Sequence, residues 1–354
     1  MTHPTDFDPN APAQADAGIY GLPHSFEEAK LVFLPVPWEA TTSYGGGTSE
    51  APAAILDASF QVDLHDLDVT NPWKAGLFMQ DESDDVHAWN EEAKAEAAKV
   101  IEAGGDVEGD DELEDALERV NALGAKLNAF VEAESAKILA AGKILGIVGG
   151  DHSVPLGGMK ALAARTGEFG ILHIDAHSDT RNAYEGFEFS HASIMHNVLT
   201  RIPEVTKLVQ VGIRDVCDEE MEFVASQGKR VHMVSDRALS RAKMEGTPFA
   251  TLARAIVKEL PEKVWVSFDI DGLDPRFCPH TGTPVPGGLD FQEAVFLLGE
   301  IVRAGKTIVA FDLNEVAPNL ADEDDEWDAN VGARMLYKLA GFTLASQGFA
   351  KLVE

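Results

Sequence analysis

Apolar residues in this chain fall into short runs bounded by turn residues. The clearest are Leu31–Val36, Ile144–Val148, Gly170–Ile174, Leu208–Ile213, Val231–Val234, Val264–Ile270 and Thr307–Leu313. Each is too short for a helix and most are rich in β-branched residues, which predicts strands buried on both faces. Stretches of helical period lie between them, at Leu156–Arg165, Phe249–Leu260 and Phe291–Ala304. Asp290 opens the last of these, with Glu293 three residues on, the spacing of a capping box. Alternating strand and helix predict an α/β fold with a mainly parallel central sheet covered on both faces. Residues 1–28, rich in Pro, Ala and Asp, read as a loose arm, and 29–354 as a single domain.

The stretch from about 90 to 142 breaks the alternation. Glu91–Ala103 has helical composition and is stopped by Gly104-Gly105; an acidic hinge follows, then a longer helix to Ala141. Leu113, Leu117, Val120, Leu127 and Val131 recur at mostly helical spacing, so the insertion reads as a helical pair packed on the rim of the domain. Acidic runs at Asp81–Asp85 and Asp322–Asp328 read as solvated loops.

Charge narrows the partners. The 28 Lys and Arg against 60 Asp and Glu leave a net −32 over 354 residues. Such a surface repels phosphate backbones and anionic lipid, which argues against nucleic-acid and membrane partners, and it attracts small cations. Cys217 and Cys278 stand far apart in no spaced motif, which excludes a disulfide scaffold and a thiolate zinc site. A polar N-terminus and the lack of a long apolar run lead to the expectation of a cytoplasmic protein.

Four predicted strands end in polar groups that a buried sheet would not otherwise tolerate. They run out into Gly149-Gly150-Asp151-His152-Ser153, Asp175-Ala176-His177-Ser178-Asp179, Asp269-Ile270-Asp271-Gly272 and Asn314-Glu315-Val316-Ala317-Pro318. Ligands in α/β sheets collect at the carboxyl ends of strands, so the four segments should converge on one crevice. Residues i and i+2 of an extended chain share a side, which groups Asp175, His177 and Asp179, and likewise Asp269 with Asp271. Clustered carboxylates raise one another's pKa unless positive charge sits among them. Two divalent cations would balance four such carboxylates. Oxygen-rich donors with the imidazoles of His152 and His177 suit Mn2+ and also accept Ni2+, and such a pair supplies a hydroxide near neutral pH.

GGDHS, DAHSD and SFDIDGLDP, followed by HTGTPVPGGL and NEVAP, resemble the ureohydrolase family of arginases, agmatinases and related guanidino hydrolases, in family order across about residues 30–345. The resemblance implies a three-layer α/β/α fold, a dinuclear centre usually holding manganese, and a homotrimer or homohexamer. It implies one metal on His152, Asp175, Asp179 and Asp269, and a second on Asp175, His177, Asp269 and Asp271. Glu315 matches the glutamate that takes the substrate guanidinium, a planar fork that a carboxylate holds through two parallel hydrogen bonds. His191 matches the proton-shuttle histidine, although Ala192 stands where most agmatinases and arginases have glycine.

The implied reaction releases urea from a small cationic guanidino substrate. The stretch Asn182–Ser190 lacks the Ser-Gly-Asn segment by which arginases hold an α-amino acid. Agmatine is therefore expected first, free guanidine next and arginine third. Trp38, Tyr184, Phe187 and Phe189 are candidates to line the pocket or to pack its loop. A metallophosphoesterase would need GDxxD and GNH segments that this sequence lacks, and a non-catalytic assembly protein would have no need of clustered carboxylates. His173 reads as a packed or supporting group, and His196 and His232 as ordinary side chains. Nothing around Cys278 suggests an activated thiolate. The loop from Pro37 to Gly47 lacks the lysine of a phosphate cradle and reads as a substrate-side loop.

Overall fold

The computed structural model describes residues 7–13, 17–322 and 324–353. Its strands are β1 (Leu31–Val36), β2 (Val69–Thr70), β3 (Leu77–Met79), β4 (Ile144–Gly149), β5 (Phe169–Ile174), β6 (Val205–Ile213), β7 (Val231–Ser235), β8 (Lys263–Asp269), β9 (Thr307–Asn314) and β10 (Lys351–Leu352). Eight of them form one sheet in the order β3-β1-β4-β9-β8-β5-β6-β7. Every pairing in it is parallel. The remaining two, β2 and β10, pair antiparallel apart from it. All seven strands expected from the apolar runs are present.

The helices are α1 (Ala51–Ser59), α2 (Asp84–Glu102), α3 (Asp111–Ala140), α4 (Leu156–Thr166), α5 (Ile194–Arg201), α6 (Asp218–Ser226), α7 (Asp236–Met244), α8 (Phe249–Glu259), α9 (Phe291–Arg303) and α10 (Trp327–Ser346). Alternate residues of each buried strand feed two separate cores. Phe33, Leu172 and Val266 pack against α1, α8, α9 and α10, whereas Val32, Ile171 and Trp265 pack against α3, α4 and α5. The result is a three-layer α/β/α arrangement. The capping box at Asp290 and Glu293 opens α9 as its spacing required. Among the described residues, no helix is long and apolar enough to cross a membrane.

Three expectations need correction. Residues 1–6 and 14–16 of the expected arm lie outside the described residues, but Ile19, Tyr20 and Leu22 are buried in the core. The Tyr20 hydroxyl donates to the Ala333 carbonyl at 3.0 Å, so this part of the arm is stitched to α10. The run Asp81–Asp85 is partly helical, because α2 starts at Asp84, and Asp84 and Asp85 place negative charge in its first turn, at the positive end of the helix dipole. At the other acidic run, where Glu323 is outside the described residues, Asp328 belongs to α10 and is buried beneath His280.

Candidate active site

β4, β9, β8 and β5 are consecutive in the sheet, so their four polar exits open side by side. Asp175 follows the end of β5, Asp269 closes β8, Asn314 closes β9 and Glu315 follows it. His152 Nδ1 lies 3.0 Å from Asp175 Oδ2, 3.1 Å from Asp269 Oδ2 and 3.4 Å from Asp179 Oδ2. His177 Nδ1 lies 3.0 Å from Asp271 Oδ2 and 3.5 Å from Asp175 Oδ1. Donor atoms of His152, His173, Asp175 and Asp179 fall within 4.8 Å of one another, as do those of Asp175, His177 and Asp271. Asp175 belongs to both groups.

Asp179 reaches the cluster by a different route from the one expected. Extended alternation stops before it, since its φ is 55°, and a left-handed turn swings its carboxylate toward His152. The same turn lets its carbonyl accept the amides of Met195 and His196 at the start of α5. Glu315 also sits at positive φ, 63°. A non-glycine residue in that region is strained, and such strain gathers at functional sites. Its Oε1 accepts the His152 amide at 2.9 Å, and Thr281 Oγ1 donates to its carbonyl at 2.7 Å. Its Oε2 faces Gly282, where an added Cβ would come within 3.4 Å of it, so glycine keeps the space beside the carboxylate open.

The electrostatics follow from burial and like charge. Burial and neighbouring carboxylates push Asp179, Asp269 and Glu315 well above the usual carboxylate range. Asp175 moves the other way despite its burial, because His173, His152 and His177 surround it. Burial alone would lower His152, yet Asp175, Asp179 and Asp312 carry it up to about 10. His191 is pushed down to about 4 by burial and by the charge of His177, so it is neutral near pH 7. A cluster that must hold protons on its own acids is chemically suited to cations in their place.

The surrounding groups fix the tautomers, and the sequence did not reveal them. Ser267 Oγ donates to Asp312 Oδ1 at 2.8 Å and lies 2.9 Å from His152 Nε2. Its hydroxyl hydrogen is thereby committed, so it accepts from His152 Nε2–H and leaves Nδ1 free to ligate. Gln210 Nε2 donates to the Ser178 carbonyl (2.8 Å) and meets His173 Nδ1 (3.1 Å). His173 therefore carries its proton on Nε2, 2.8 Å from Asp175 Oδ2, and supports that carboxylate instead of ligating. Glu39 and Asp312 are further buried acids near these strand ends that no motif marked, and Asp151, inside GGDHS, is buried beside them.

His191 Nδ1 stands 3.4 Å from Thr41 Oγ1, and the Tyr184 ring is 6.3 Å from the imidazole. Of the two roles open to the candidate aromatics, lining the pocket or packing, the other three take packing positions. Phe187 is enclosed by Ala97, Val100, Ala116 and Val120 of α2 and α3. Phe189 packs against Gly124 of α3 and lies under Arg201, and Trp38 is part of the core below α3. Aromatic residues in a loop satisfy the nearest apolar surface first, and here that surface is a helix pair. His196 stacks on Phe223 at 4.6 Å, and burial pushes the Cys278 thiol up while its Sγ meets the Ile270 carbonyl.

A family model described as the arginase family matches residues 29–341. An N(1)-aminopropylagmatine ureohydrolase from Thermus thermophilus is 33% identical over 294 residues, covering 83% of this chain and 85% of the relative. An agmatinase from Cronobacter sakazakii is 31% identical over 312 residues, covering 87% of each. Among solved structures, proclavaminate amidino hydrolase from Streptomyces clavuligerus superposes with a TM-score of 0.70 at 22% identity, over 95% of this chain and all of that one. That last likeness speaks for the fold.

Proposed function

The chain belongs to the arginase family, and from that premise we propose that it is a ureohydrolase acting on a cationic guanidino compound without an α-carboxylate. The observation that carries the reading is the position of Glu315. Its carboxylate is fixed by the His152 amide on one side and faces the open space at Gly282 on the other, beside the His and Asp cluster. A carboxylate so held can take two parallel N–H groups of a guanidinium, and its charge compensates the cation once both are desolvated.

The donor set fits a dinuclear centre. His152 and Asp179 would hold one cation, His177 and Asp271 the other, with Asp175 and Asp269 shared. Mn2+ is the proposed occupant and Ni2+ the alternative that the same donors accept. Such a centre supplies acidified water and polarisation of the carbon under attack. Glu315 orients the guanidino carbon toward that water. Neutral His191, held by Thr41, relays a proton to the departing nitrogen. Water adds to the guanidino carbon, a C–N bond breaks, and urea and a protonated amine leave.

Agmatine is the proposed substrate, with guanidine next and arginine third. The curated relatives include an agmatinase and an N(1)-aminopropylagmatine ureohydrolase, and both names specify a guanidino group on a carboxylate-free chain. The loop Asn182–Ser190 offers no cationic side chain to an α-carboxylate. A homotrimer or homohexamer in the cytoplasm completes the reading. The test is urea release from agmatine, N(1)-aminopropylagmatine, guanidine and arginine by protein loaded separately with Mn2+ and Ni2+. A kcat/KM for arginine well above the others would overturn the substrate assignment. Protein that binds no divalent metal would overturn the enzyme class.

A further inference from the structure

The helix pair α2–α3 reaches both loops that wall the carboxylate cluster. On one side, Asn90 Oδ1 accepts the Glu39 amide at 2.8 Å, and Lys94 pairs with the Glu39 carboxylate. Glu39 is buried, and its Oε2 collects the amides of Gly47 (2.7 Å) and Ser49 (3.1 Å) and the Thr48 hydroxyl (3.1 Å). One carboxylate thus gathers the whole 39–49 loop. That loop carries Thr41 to His191, and its Gly45 amide donates to the Gly282 carbonyl at 3.1 Å, next to Glu315.

On the other side, Tyr184 and Phe187 exchange both backbone hydrogen bonds around Glu185 and Gly186, which have φ of 51° and 85°. Asn121 of α3 donates to the Gly186 carbonyl (3.2 Å) and accepts the Glu188 amide (2.8 Å). Phe187 is locked between the two helices, and a side chain at Gly105 would come within 2.9 Å of the Glu185 Cα. This turn is what brings Tyr184 to His191.

We propose that the α2–α3 pair sets substrate selection by holding these two loops at a fixed separation, with Lys94 and Asn121 as its positioning residues. The inference rests on the ureohydrolase reading above. Both residues bond to the loops, so they act on the shape of the opening and leave the metal ligands in place. Removing the Lys94 ammonium strands a buried carboxylate, which must take up a proton or let the 39–49 loop open toward water. Removing Asn121 frees the 184–187 turn on the far wall.

The experiment compares wild type, Lys94→Met, Lys94→Arg, Asn121→Ala and the Lys94→Met/Asn121→Ala double variant, all as metal-loaded protein. Metal content is measured alongside steady-state urea release from agmatine and from guanidine. Expected for Lys94→Met is a KM for the preferred substrate raised about tenfold with kcat within about threefold. The agmatine-to-guanidine ratio of kcat/KM should shift by about tenfold, with metal content unchanged. Lys94→Arg should restore most of the ratio. Asn121→Ala should move it less, and the double variant should fall short of the product of the singles, because both act through one rigid pair. Asn121 is only partly buried on α3, so its variant keeps the test open should Lys94→Met fail to fold. A ratio and KM within about twofold of an active wild type, or metal loss with a fall in kcat alone, would overturn the inference and leave the ureohydrolase reading standing. A metal-loaded wild type that releases no urea from either compound would overturn both.

Discussion

The two ends of the central strands carry charge in opposite ways. Around the amino ends, Glu300 accepts from Arg254 Nε at 2.8 Å and from Arg303 Nη1 at 3.1 Å, Lys263 caps the Thr166 carbonyl at 2.8 Å, and Lys306 caps the Leu260 carbonyl at 2.5 Å. Signs alternate there, and most of the groups reach water. Around the carboxyl ends, Asp175, Asp179, Asp269, Asp271 and Glu315 are all buried, with imidazoles as their nearest positive groups. A fold spends half-exposed mixed charge on solubility and local order. Buried charge of a single sign works against folding unless something else is to be bound. The contrast therefore separates structural polarity from functional polarity within one sheet.

The sharpest way to break the contrast is at its most enclosed member. Asp175→Asn or Asp269→Asn should lower kcat/KM about a thousandfold or more and release at least one metal, measured by urea assay and elemental analysis. Near-normal activity with two metals bound would remove both residues from the bridging role. Glu315→Gln should keep the metals and lower kcat/KM by about a hundredfold, since a buried charge-assisted pair is worth about 3 kcal/mol. Metal loss in that variant would move Glu315 into the ligand shell.

A third outcome concerns pH. Burial raises Asp312 to about 6 and Asp151 to about 7. An acid raised in the folded state contributes stability that is complete below the ordinary carboxylate range and is lost as pH climbs through the raised value. His152, raised to about 10, loses its contribution in the same direction from about pH 6.5 upward. The Tm of metal-stripped protein should thus fall from pH 5 to pH 8, and added Mn2+ should offset the fall by binding the folded state. A Tm that rises over that interval without metal would contradict the protonated, cation-seeking cluster. The smallest effect belongs to the amino end: Glu300→Gln should lower Tm by about 2–5 °C and leave kcat/KM within about twofold.

What could be read from the sequence follows the same division. Strands buried on both faces leave unbroken apolar runs, so the seven longer strands stood out, while β3 and β2 are too short to leave a pattern. The metal-ligand candidates were legible because consecutive short-range motifs carry them. Glu39, Asp312 and Asp328 were not, because each acts on a partner far along the chain: Lys94, Ser267 and His280. The sequence left the packing of the 184–189 aromatics open for a related reason. Loop composition shows that rings are available, whereas the surface they meet, α2 and α3, lies some sixty to ninety residues earlier. Even the charge pattern hid its meaning, since Asp328 looks like its acidic neighbours until α10 buries it.

The strand order has a consequence for how the chain comes into being. β9, the last strand of the main sheet to be synthesised, docks at its centre between β4 and β8. Until residue 314 has left the ribosome, His152 on the β4 side and Asp269 on the β8 side belong to two separate half-sheets. Non-local parallel pairing of this kind is slow and leaves open edges exposed while it waits. A complete set of candidate ligands therefore waits on the docking of β9, and a chain cut before β9 holds neither Glu315 nor the strand that joins the His152 side to the Asp269 side.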